Sequence, residues 1–198
     1  MIKDIYLLVG GEAKRLRPLS EGIPKALLTI KGKLLIDLIL ENLDKSNLEK
    51  INLICSIKHE KFWLEYKKNS QFNVNLHFEH EKLDTAGFVV QNINNFSDKF
   101  LCMNGDLLIE MNFNSFLEAA NNSKNSTICS IPVDNPSRYG VLELDGTKVI
   151  NFIEKPEDMK YGNNINLGVY CLHKKDIKEI KDKLEIPCSF EKNVFPNL

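Results

Sequence analysis

The sequence has little arginine, a single tryptophan and almost no net charge. Its 198 residues carry 26 basic and 27 acidic side chains, so the formal charge is −1 at pH 7. A balance this even lacks the basic field by which proteins bind nucleic acids or anionic membranes. No apolar run reaches the roughly 20 residues of a membrane-spanning helix. We therefore expect neither nucleic acid nor membrane as a partner, and any anion site must be local.

Disulfide and zinc-binding patterns are also missing. The chain has five cysteines, an odd number, without a C-x-x-C pair, and four of them lie within apolar runs. Such thiols are typical of small buried side chains in a reducing compartment. The four histidines match no metal-ligand spacing, and the charged start of the chain does not fit a secretory signal. We expect a cytoplasmic protein with free thiols.

Short apolar runs alternate with amphipathic stretches over the first 125 residues. The predicted strands span residues 5–9, 51–57, 73–78 and 99–104. The predicted helices span residues 33–45, 59–69, 85–96 and 113–123. The strands are too continuously apolar to have a wet face, which favours a parallel sheet covered on both sides. This order predicts an α/β fold with a mostly parallel central sheet.

The pattern of predicted elements changes after Ser126, from alternating strands and helices to mainly strands. Strand-like runs there are separated by turn residues, and Asp145-Gly146 predicts a hairpin between two of them. No internal repeat, low-complexity tract or flexible linker divides the chain. We predict a single domain over residues 1–198, with a smaller β-rich portion after residue 125.

A glycine-led basic loop follows the first predicted strand. Gly10-Gly11 open it, two of the chain's three arginines, Arg15 and Arg17, come next, and Pro24-Lys25 close it. Glycines let backbone N–H groups approach a phosphate, and arginine presents a planar fork to its oxygens. Proline stiffens the chain before the lysine. These residues predict an anion site, while a plain turn with a solvated lysine stays open as the alternative.

Three further motifs have an ordinary interpretation as well as a functional one. Asp84-Thr85 fits a helix cap. Asn104-Gly105-Asp106 fits a turn, although ligands of open α/β sheets bind at such strand ends. Glu154-Lys155-Pro156 fits the solvated end of a strand. The residues alone leave each of these alternatives open.

Residues 10–43, "GGEAKRLRPLSEGIPKALLTIKGKLLIDLILENL", closely resemble the N-terminal signature of the sugar-phosphate nucleotidyltransferases, or NDP-sugar pyrophosphorylases. Later segments resemble that family in the same order, so the resemblance covers essentially the whole chain. These segments are residues 83–88, 103–113, 138–156, 164–170 and 189–198. The resemblance implies a Rossmann-like three-layer sandwich that transfers a nucleoside monophosphate from an NTP to a sugar 1-phosphate. The chain resembles the short mannose- or heptose-1-phosphate guanylyltransferase-like members. The base and the sugar stay open, because similar short members also use glucose or N-acetylated sugar 1-phosphates and UTP, dTTP or CTP.

The resemblance also implies roles for individual residues. Arg15 and Lys25 would be catalytic, acting on the phosphates, and Asp106 would bind Mg²⁺. The implied nucleotide-binding residues are Gly10, Gly11, Glu12, Asp84 and Thr85. The implied sugar-phosphate-binding residues are Gly140, Glu154, Lys155, Asn166 and Gly168. Residues 1–125 would then form a nucleotide-binding half and residues 126–198 a sugar-phosphate-binding half.

The sequence departs from the family pattern at three places. Ala13 replaces a glycine, and Asp84 stands where glycine is usual. A carboxylate at residue 84 is suited to accept hydrogen bonds from the N–H edge of guanine. Many relatives continue to a second metal-binding aspartate, for which no match precedes Leu198, so a C-terminal segment is expected to be missing.

Two other functions compete with the enzymatic one. A non-catalytic relative that binds nucleotide sugars as a regulatory protein is favoured by the absent second aspartate. A nicotinamide-dependent oxidoreductase would need a third glycine and an acidic residue about 20 positions on, and neither is found. The expected partners are therefore an NTP and a sugar 1-phosphate, and a homo-oligomer stays open.

Overall fold

A computed structural model describes residues 1–12, 22–43, 46, 48–157 and 160–198. Its strands are β1 Asp4–Leu8, β2 Thr29–Ile30, β3 Lys33–Leu34, β4 Lys50–Ser56, β5 Val74–Glu79, β6 Lys99–Asn104, β7 Thr127–Pro132, β8 Gly140–Asp145, β9 Lys148–Glu154 and β10 Asn164–His173. Its α-helices are α1 Leu35–Leu43, α2 Glu60–Asn69, α3 Asp84–Asn92, α4 Phe113–Asn122 and α5 Lys174–Ile180. The elements form two compact units. The first unit comprises Met1–Lys82 and Lys99–Ser123, and the second unit comprises Leu83–Asp98 and Lys124–Leu198.

The first unit contains a parallel sheet in the strand order β5-β4-β1-β6. Its register pairs Ile5 with Ile51 on one side and with Leu101 on the other. Ile5 and Leu101 are fully buried. Strands of a parallel sheet covered on both faces are apolar throughout, which explains why unbroken apolar runs form β1 and β6. The predicted α/β class with a mostly parallel sheet is confirmed.

The helices of the first unit bury one apolar face each. In α1 the buried positions include Ile36 and Leu40, and α2 buries Trp63 completely. The hydroxyl of Tyr66 on α2 donates to Oδ1 of Asp37 on α1 at 2.8 Å, which ties the two helices together. In the part of the chain that the structure describes, no helix is both long and apolar enough to cross a bilayer.

The second unit is mainly antiparallel. Strand β10 pairs with β7 and with β8, and β8 pairs with β9. The hairpin predicted around Asp145-Gly146 joins β8 to β9, and Gly146 takes a φ of 60°, which favours glycine. Tyr170 packs against Phe190 and Phe195, with ring centroids 5.3 and 4.8 Å away. The assignment of one functional half to residues 1–125 and the other to 126–198 stays a prediction.

The five cysteines are all free, as the sequence predicts. Cys55, Cys102, Cys171 and Cys188 are buried, and Cys129 is half-buried. Burial raises the pKa of the Cys129 and Cys188 thiols above their usual value. Because the thiolate is the reactive form, these side chains act as small apolar groups of the core.

His77 gives the stability of the first unit a dependence on pH. Its Nε2 lies 3.1 Å from Oδ1 of Asn52, and burial lowers the pKa of the imidazole below 6.5. The unfolded chain therefore binds a proton at His77 more readily than the folded chain does. We expect the contribution of His77 to the free energy of unfolding to be constant above pH 7 and to fall as the pH drops towards 5.

Urea unfolding at pH values from 5 to 8 measures this effect. Glutamine in place of His77 keeps a donor for Asn52 and carries no titrating group, so His77→Gln should flatten the curve between pH 5 and 7. The exposed His80, changed to glutamine, is the matched control. An undiminished loss of stability in His77→Gln would assign the acid sensitivity to other groups.

Candidate functional site

The glycine pair of the basic loop lies directly after β1. Val9 donates to the carbonyl of Ile54 at 3.0 Å, which carries the parallel pairing one residue beyond the strand. A Cβ on Gly10 would lie 3.1 Å from Oε2 of Glu79. A Cβ on Gly11 would meet no atom within 4 Å. Gly10 therefore permits a close approach of the Glu79 carboxylate, while the Gly11 backbone faces open space.

Lys25 is held beside the glycine pair. Its backbone N–H donates to the carbonyl of Gly11 at 3.3 Å, and Glu12 forms an isolated antiparallel bridge with Pro24. Pro24 is buried, and its carbonyl accepts from Leu27 at 2.9 Å to start a short helical turn. The two ends of the basic loop thus meet. Arg15 and Arg17, together with Ala13, lie outside the described residues.

Gly105 fixes the end of β6 against the end of β1. Its N–H donates to the carbonyl of Leu8 at 3.0 Å. A Cβ on Gly105 would lie 2.3 Å from Cγ1 of Val9 and 2.9 Å from the Leu8 carbonyl oxygen. Only glycine allows this contact, which places Asp106 at the carboxyl end of β6. Ligands of open α/β sheets bind at this edge.

Lys25 and Asp106 form an ion pair. The lysine Nζ donates to Oδ2 of Asp106 at 2.6 Å, and the two side chains are 38% and 42% exposed. An ion pair this exposed contributes little to stability, because water screens it and two long side chains lose freedom. The pair therefore offers a positive and a negative group that remain accessible to an anion and to a cation.

The second unit places Asp84 and Thr85 in the first turn of α3. Asp84 has a φ of 63°, unusual for a residue other than glycine, and its Oδ1 accepts from the Thr85 N–H at 2.9 Å. This bond joins adjacent residues and is not a helix cap, since the N-cap position of α3 is Leu83 and no side-chain cap bond is found there. The Thr85 hydroxyl lies 3.0 Å from Oε2 of Glu191 and accepts from the Phe190 N–H at 3.0 Å.

The end of the β8–β9 hairpin carries three of the predicted residues. Gly140 is opposite Glu154 in the register, and a Cβ on Gly140 would lie 2.5 Å from the ring of Phe152 and 3.2 Å from Oε2 of Glu154. Lys155 follows with a φ of 50°, and its Nζ lies 2.8 Å from Oε1 of Glu154. Its N–H also donates to the carbonyl of Tyr139 at 3.0 Å.

Asn166 and Gly168 lie at an irregularity in β10. Gly168 takes a φ of 68°, and its N–H donates to Oδ1 of Asn166 at 2.8 Å. The antiparallel pairing of Ile165 with Val141 brings the next residue, Asn166, beside Gly140. The five residues predicted for the sugar phosphate are therefore neighbours within the second unit.

The chain is similar to known proteins over most of its length. The family described as Nucleotidyl transferase matches residues 5–195. The chain belongs to the nucleotidyl transferase family. It is 37% identical over 188 residues to a Sulfolobus acidocaldarius protein named, provisionally, a mannose-1-phosphate guanyltransferase, covering 93% of this chain and 52% of that protein. It is 33% identical over 201 residues to the mannose-1-phosphate guanylyltransferase catalytic subunit beta of Drosophila melanogaster, covering 97% and 53%.

Solved structures of similar proteins support the same assignment. The structure of HddC from Yersinia pseudotuberculosis complexed with GMP-PN matches this chain with a TM-score of 0.81 and 30% identity. The match covers all of this chain and 87% of that one. The chain spans about half the length of the curated relatives it matches. The predicted family and the Rossmann-like fold are confirmed.

Nucleotidyl transferases generally use a divalent metal, so the side chains of the first unit can be examined for groups able to bind one. The carboxylate of Asp106 is a hard oxygen donor at an accessible strand end. Mg²⁺ is commonly held by one or two carboxylates together with substrate phosphates. Within residues 1–12, 22–43, 46, 48–157 and 160–198, no group of three or more His, Cys, Asp or Glu side chains could hold a metal ion. The described donors fit a metal that is shared with bound phosphates.

Two side chains that lie against candidate site residues were missed at the sequence level. Glu79 lies against Gly10 at the end of β5, and Glu191 lies against Thr85 in the second unit. Glu191 belongs to residues 189–198, which the family resemblance marks without giving that glutamate a role. No local pattern distinguishes either carboxylate from the many solvated ones, since their partners are distant in the sequence.

Proposed function

We propose that this chain transfers a nucleoside monophosphate from an NTP to a sugar 1-phosphate and releases pyrophosphate. Membership of the nucleotidyl transferase family supports the reaction class. The observation that carries the proposal is the pair of Lys25 and Asp106, held beside Gly10 and Gly11 where β1 and β6 end. A cation and a carboxylate next to an open glycine backbone suit a metal-bound triphosphate.

The chemistry needs positioning more than proton transfer. A phosphate oxygen of the sugar 1-phosphate attacks the α-phosphorus, and the bond from that phosphorus to the bridging oxygen breaks to release pyrophosphate. A phosphate monoester has a second pKa of about 6 and is mostly a dianion at neutral pH. The nucleophile therefore needs no general base. The protein must hold two polyanions in line and neutralise their charge.

The first unit supplies the groups for the phosphates. Lys25 would release Asp106 and bind the α-phosphate and the incoming phosphate through its Nζ. Arg15 is proposed, from the resemblance, to neutralise the leaving pyrophosphate. Asp106 would hold Mg²⁺ together with phosphate oxygens, and the bound ion would reduce the negative charge on the triphosphate. Gly10, Gly11 and Glu12 would line the nucleotide.

The second unit supplies the groups for the sugar phosphate. Glu154 carries acceptors for sugar hydroxyls, and Lys155, 2.8 Å from it, carries the positive charge for the phosphate. Asn166 adds one donor and one acceptor beside Gly140, while Gly168 forms the turn that orients the asparagine. Each of these assignments rests on the family resemblance together with the neighbourhood of the residues.

We propose guanine as the base and mannose or heptose 1-phosphate as the acceptor. Support comes from the names of the similar guanyltransferases and from the GMP-PN complex of HddC. Asp84 and Thr85 are proposed to lie against the base. The Asp84 carboxylate would accept from the N–H edge of guanine, an interaction that pyrimidine carbonyl groups cannot make.

Pyrophosphate release from a panel of substrates tests the function. GTP, ATP, UTP, CTP and dTTP are each combined with mannose, heptose, glucose and N-acetylglucosamine 1-phosphate in the presence of Mg²⁺. We expect the fastest release with GTP and mannose or heptose 1-phosphate, with the GDP-sugar identified by mass. Binding of nucleotide sugars without any pyrophosphate release would instead assign the chain a regulatory role.

A further inference from the structure

Residues 188–191 are joined to the start of α3. The N–H of Cys188 donates to the Leu83 carbonyl at 3.1 Å, and the N–H of Ala86 donates to the Cys188 carbonyl at 3.0 Å. The N–H of Phe190 donates to the Thr85 hydroxyl at 3.0 Å. The first turn of α3 and residues 188–190 thus form one hydrogen-bonded structure within the second unit.

Glu191 extends this structure to β10. Its Oε2 lies 3.0 Å from the Thr85 hydroxyl, and its Oε1 lies 3.4 Å from the Tyr170 hydroxyl. An ionised carboxylate can only accept hydrogen bonds, so both hydroxyls donate to it. Each hydroxyl oxygen keeps its lone pairs for a donor on its other side. For Thr85 that donor is the N–H of Phe190.

The donor-to-acceptor direction of the hydrogen bond from Tyr170 to Glu191 also determines the direction of the bond between Tyr170 and Asn166. Since Tyr170 donates to Glu191, its oxygen accepts from Nδ2 of Asn166 at 2.8 Å. Oδ1 of Asn166 accepts from the Gly168 N–H at 2.8 Å. These two bonds fix which end of the amide is the donor and which is the acceptor. One N–H and one lone pair of the amide remain for a sugar hydroxyl.

Resting on the proposed function, we propose that Glu191 is a positioning residue. It orients Thr85 by a direct hydrogen bond and orients Asn166 indirectly, by way of Tyr170. One carboxylate then positions both a sugar-phosphate residue and a nucleotide residue of the second unit. Glu191 does not touch the reacting atoms in this proposal. Its part is to set the direction of two hydrogen-bond chains. Without the carboxylate the Tyr170 hydroxyl could turn its proton away from Glu191, and only the Gly168 N–H would still fix the direction of the amide.

The aromatic contacts of this region do not involve the Glu191 carboxylate. Tyr170 and Phe195 have ring centroids 4.8 Å apart, and Phe190 stacks on Phe195 at 5.7 Å. Phe190 is fully buried, whereas Glu191 is half-buried. We therefore expect Glu191→Ala to remain folded, with the aromatic side chains in place.

Steady-state kinetics with the preferred NTP and sugar 1-phosphate distinguish the hydrogen bond between Glu191 and Thr85 from the chain through Tyr170 to Asn166. Tyr170→Phe removes one hydroxyl and should raise KM for the sugar 1-phosphate about 3- to 10-fold, the range of one net hydrogen bond, with KM for the NTP unchanged. Thr85→Val should raise KM for the NTP instead. Glu191→Ala should raise both values, and adding Tyr170→Phe to it should raise KM for the sugar no further.

The exposed Glu185, in the same segment, provides the matched control, and Glu185→Ala should leave both KM values unchanged. Additive effects of Glu191→Ala and Tyr170→Phe on KM for the sugar would overturn the proposal. So would wild-type KM values in Glu191→Ala. Either result leaves the proposed function intact, because the wild-type enzyme would still release pyrophosphate.

Nuclear magnetic resonance tests the same proposal without any turnover. The Nδ2 amide signals of Asn166 are assigned by their loss in Asn166→Ala. They should shift in both Tyr170→Phe and Glu191→Ala, and should stay in place in Glu185→Ala. Unshifted Asn166 signals in Glu191→Ala would show that the carboxylate does not orient the amide, whether or not the chain is catalytically active.

Discussion

Asparagine in place of Asp106 should lower kcat for the proposed pyrophosphate release by about 10²- to 10³-fold, the range found when one preorganised electrostatic group is lost from an active site. The substitution keeps the size of the side chain and one oxygen, but removes the negative charge. Asp106 is 42% exposed in its ion pair with Lys25, so the change has little effect on stability. Activity and stability should therefore separate in this variant.

Lys25→Met should lower kcat to a similar extent, because it removes the charge proposed to bind the α-phosphate. If the two residues act on one triphosphate, the double variant with Asp106→Asn loses much less than the product of the single effects. Pyrophosphate release and urea unfolding, measured on all three variants, test both statements.

The chain contains a matched control for these substitutions. Lys33 and Glu41 form another exposed ion pair in the first unit, with Nζ 2.7 Å from Oε1. Lys33→Met and Glu41→Gln remove the same kinds of charge from a pair to which no role in the site is assigned, and should leave kcat unchanged. If Asp106→Asn turned over as fast as these controls, the carboxylate would have no part in catalysis.

Elements with a strong hydrophobic pattern could be predicted from the sequence. The run at residues 99–104 forms β6 at the predicted bounds, and α2 starts within one residue of its prediction. The start of α1 is different. The turn at Lys31-Gly32, both with positive φ, pairs Thr29–Ile30 with Lys33–Leu34, so the helix begins at Leu35 instead of residue 33. The spacing of apolar residues does not reveal this turn, because Lys33–Leu34 fit the helical period equally well.

Contacts between distant residues could not be predicted. Lys25 and Asp106 are 81 residues apart, and Thr85 and Glu191 are 106 apart. A motif marks Lys25 and Asp106 as candidates because each ends a recognisable segment. Glu191 follows no such signal, and only tertiary structure brings its carboxylate to two hydroxyls. Residues that position others are thus harder to find in a sequence than those that bind a ligand.

Gly105→Ala connects the fold of the first unit to its site. The new Cβ would lie 2.3 Å from Cγ1 of Val9 and 2.9 Å from the carbonyl oxygen of Leu8. The second contact is with backbone, so no side-chain rotation relieves it. Overpacking of this kind costs about 1–3 kcal/mol, and the strand ends must separate to reduce it. We expect a corresponding fall in the free energy of unfolding, measured in urea.

The same separation moves Asp106, the next residue, away from Lys25. A displacement of about 1 Å at a catalytic group can cost about 10²-fold in rate, so kcat for pyrophosphate release should fall by that order. Gly11→Ala is the control for stability, since its Cβ meets no atom within 4 Å. It should unfold at nearly the wild-type urea concentration.

Val9→Ala provides the decisive comparison, because it removes the atom that is closest to the new methyl group. In the Gly105→Ala background it should restore part of the stability, although alone it destabilises a buried site. The two effects would then be non-additive, as expected for residues in contact. Additive losses, or a Gly105→Ala variant as stable as Gly11→Ala, would mean that the ends of β1 and β6 are free to separate. Asp106 would then owe its position to something other than this glycine.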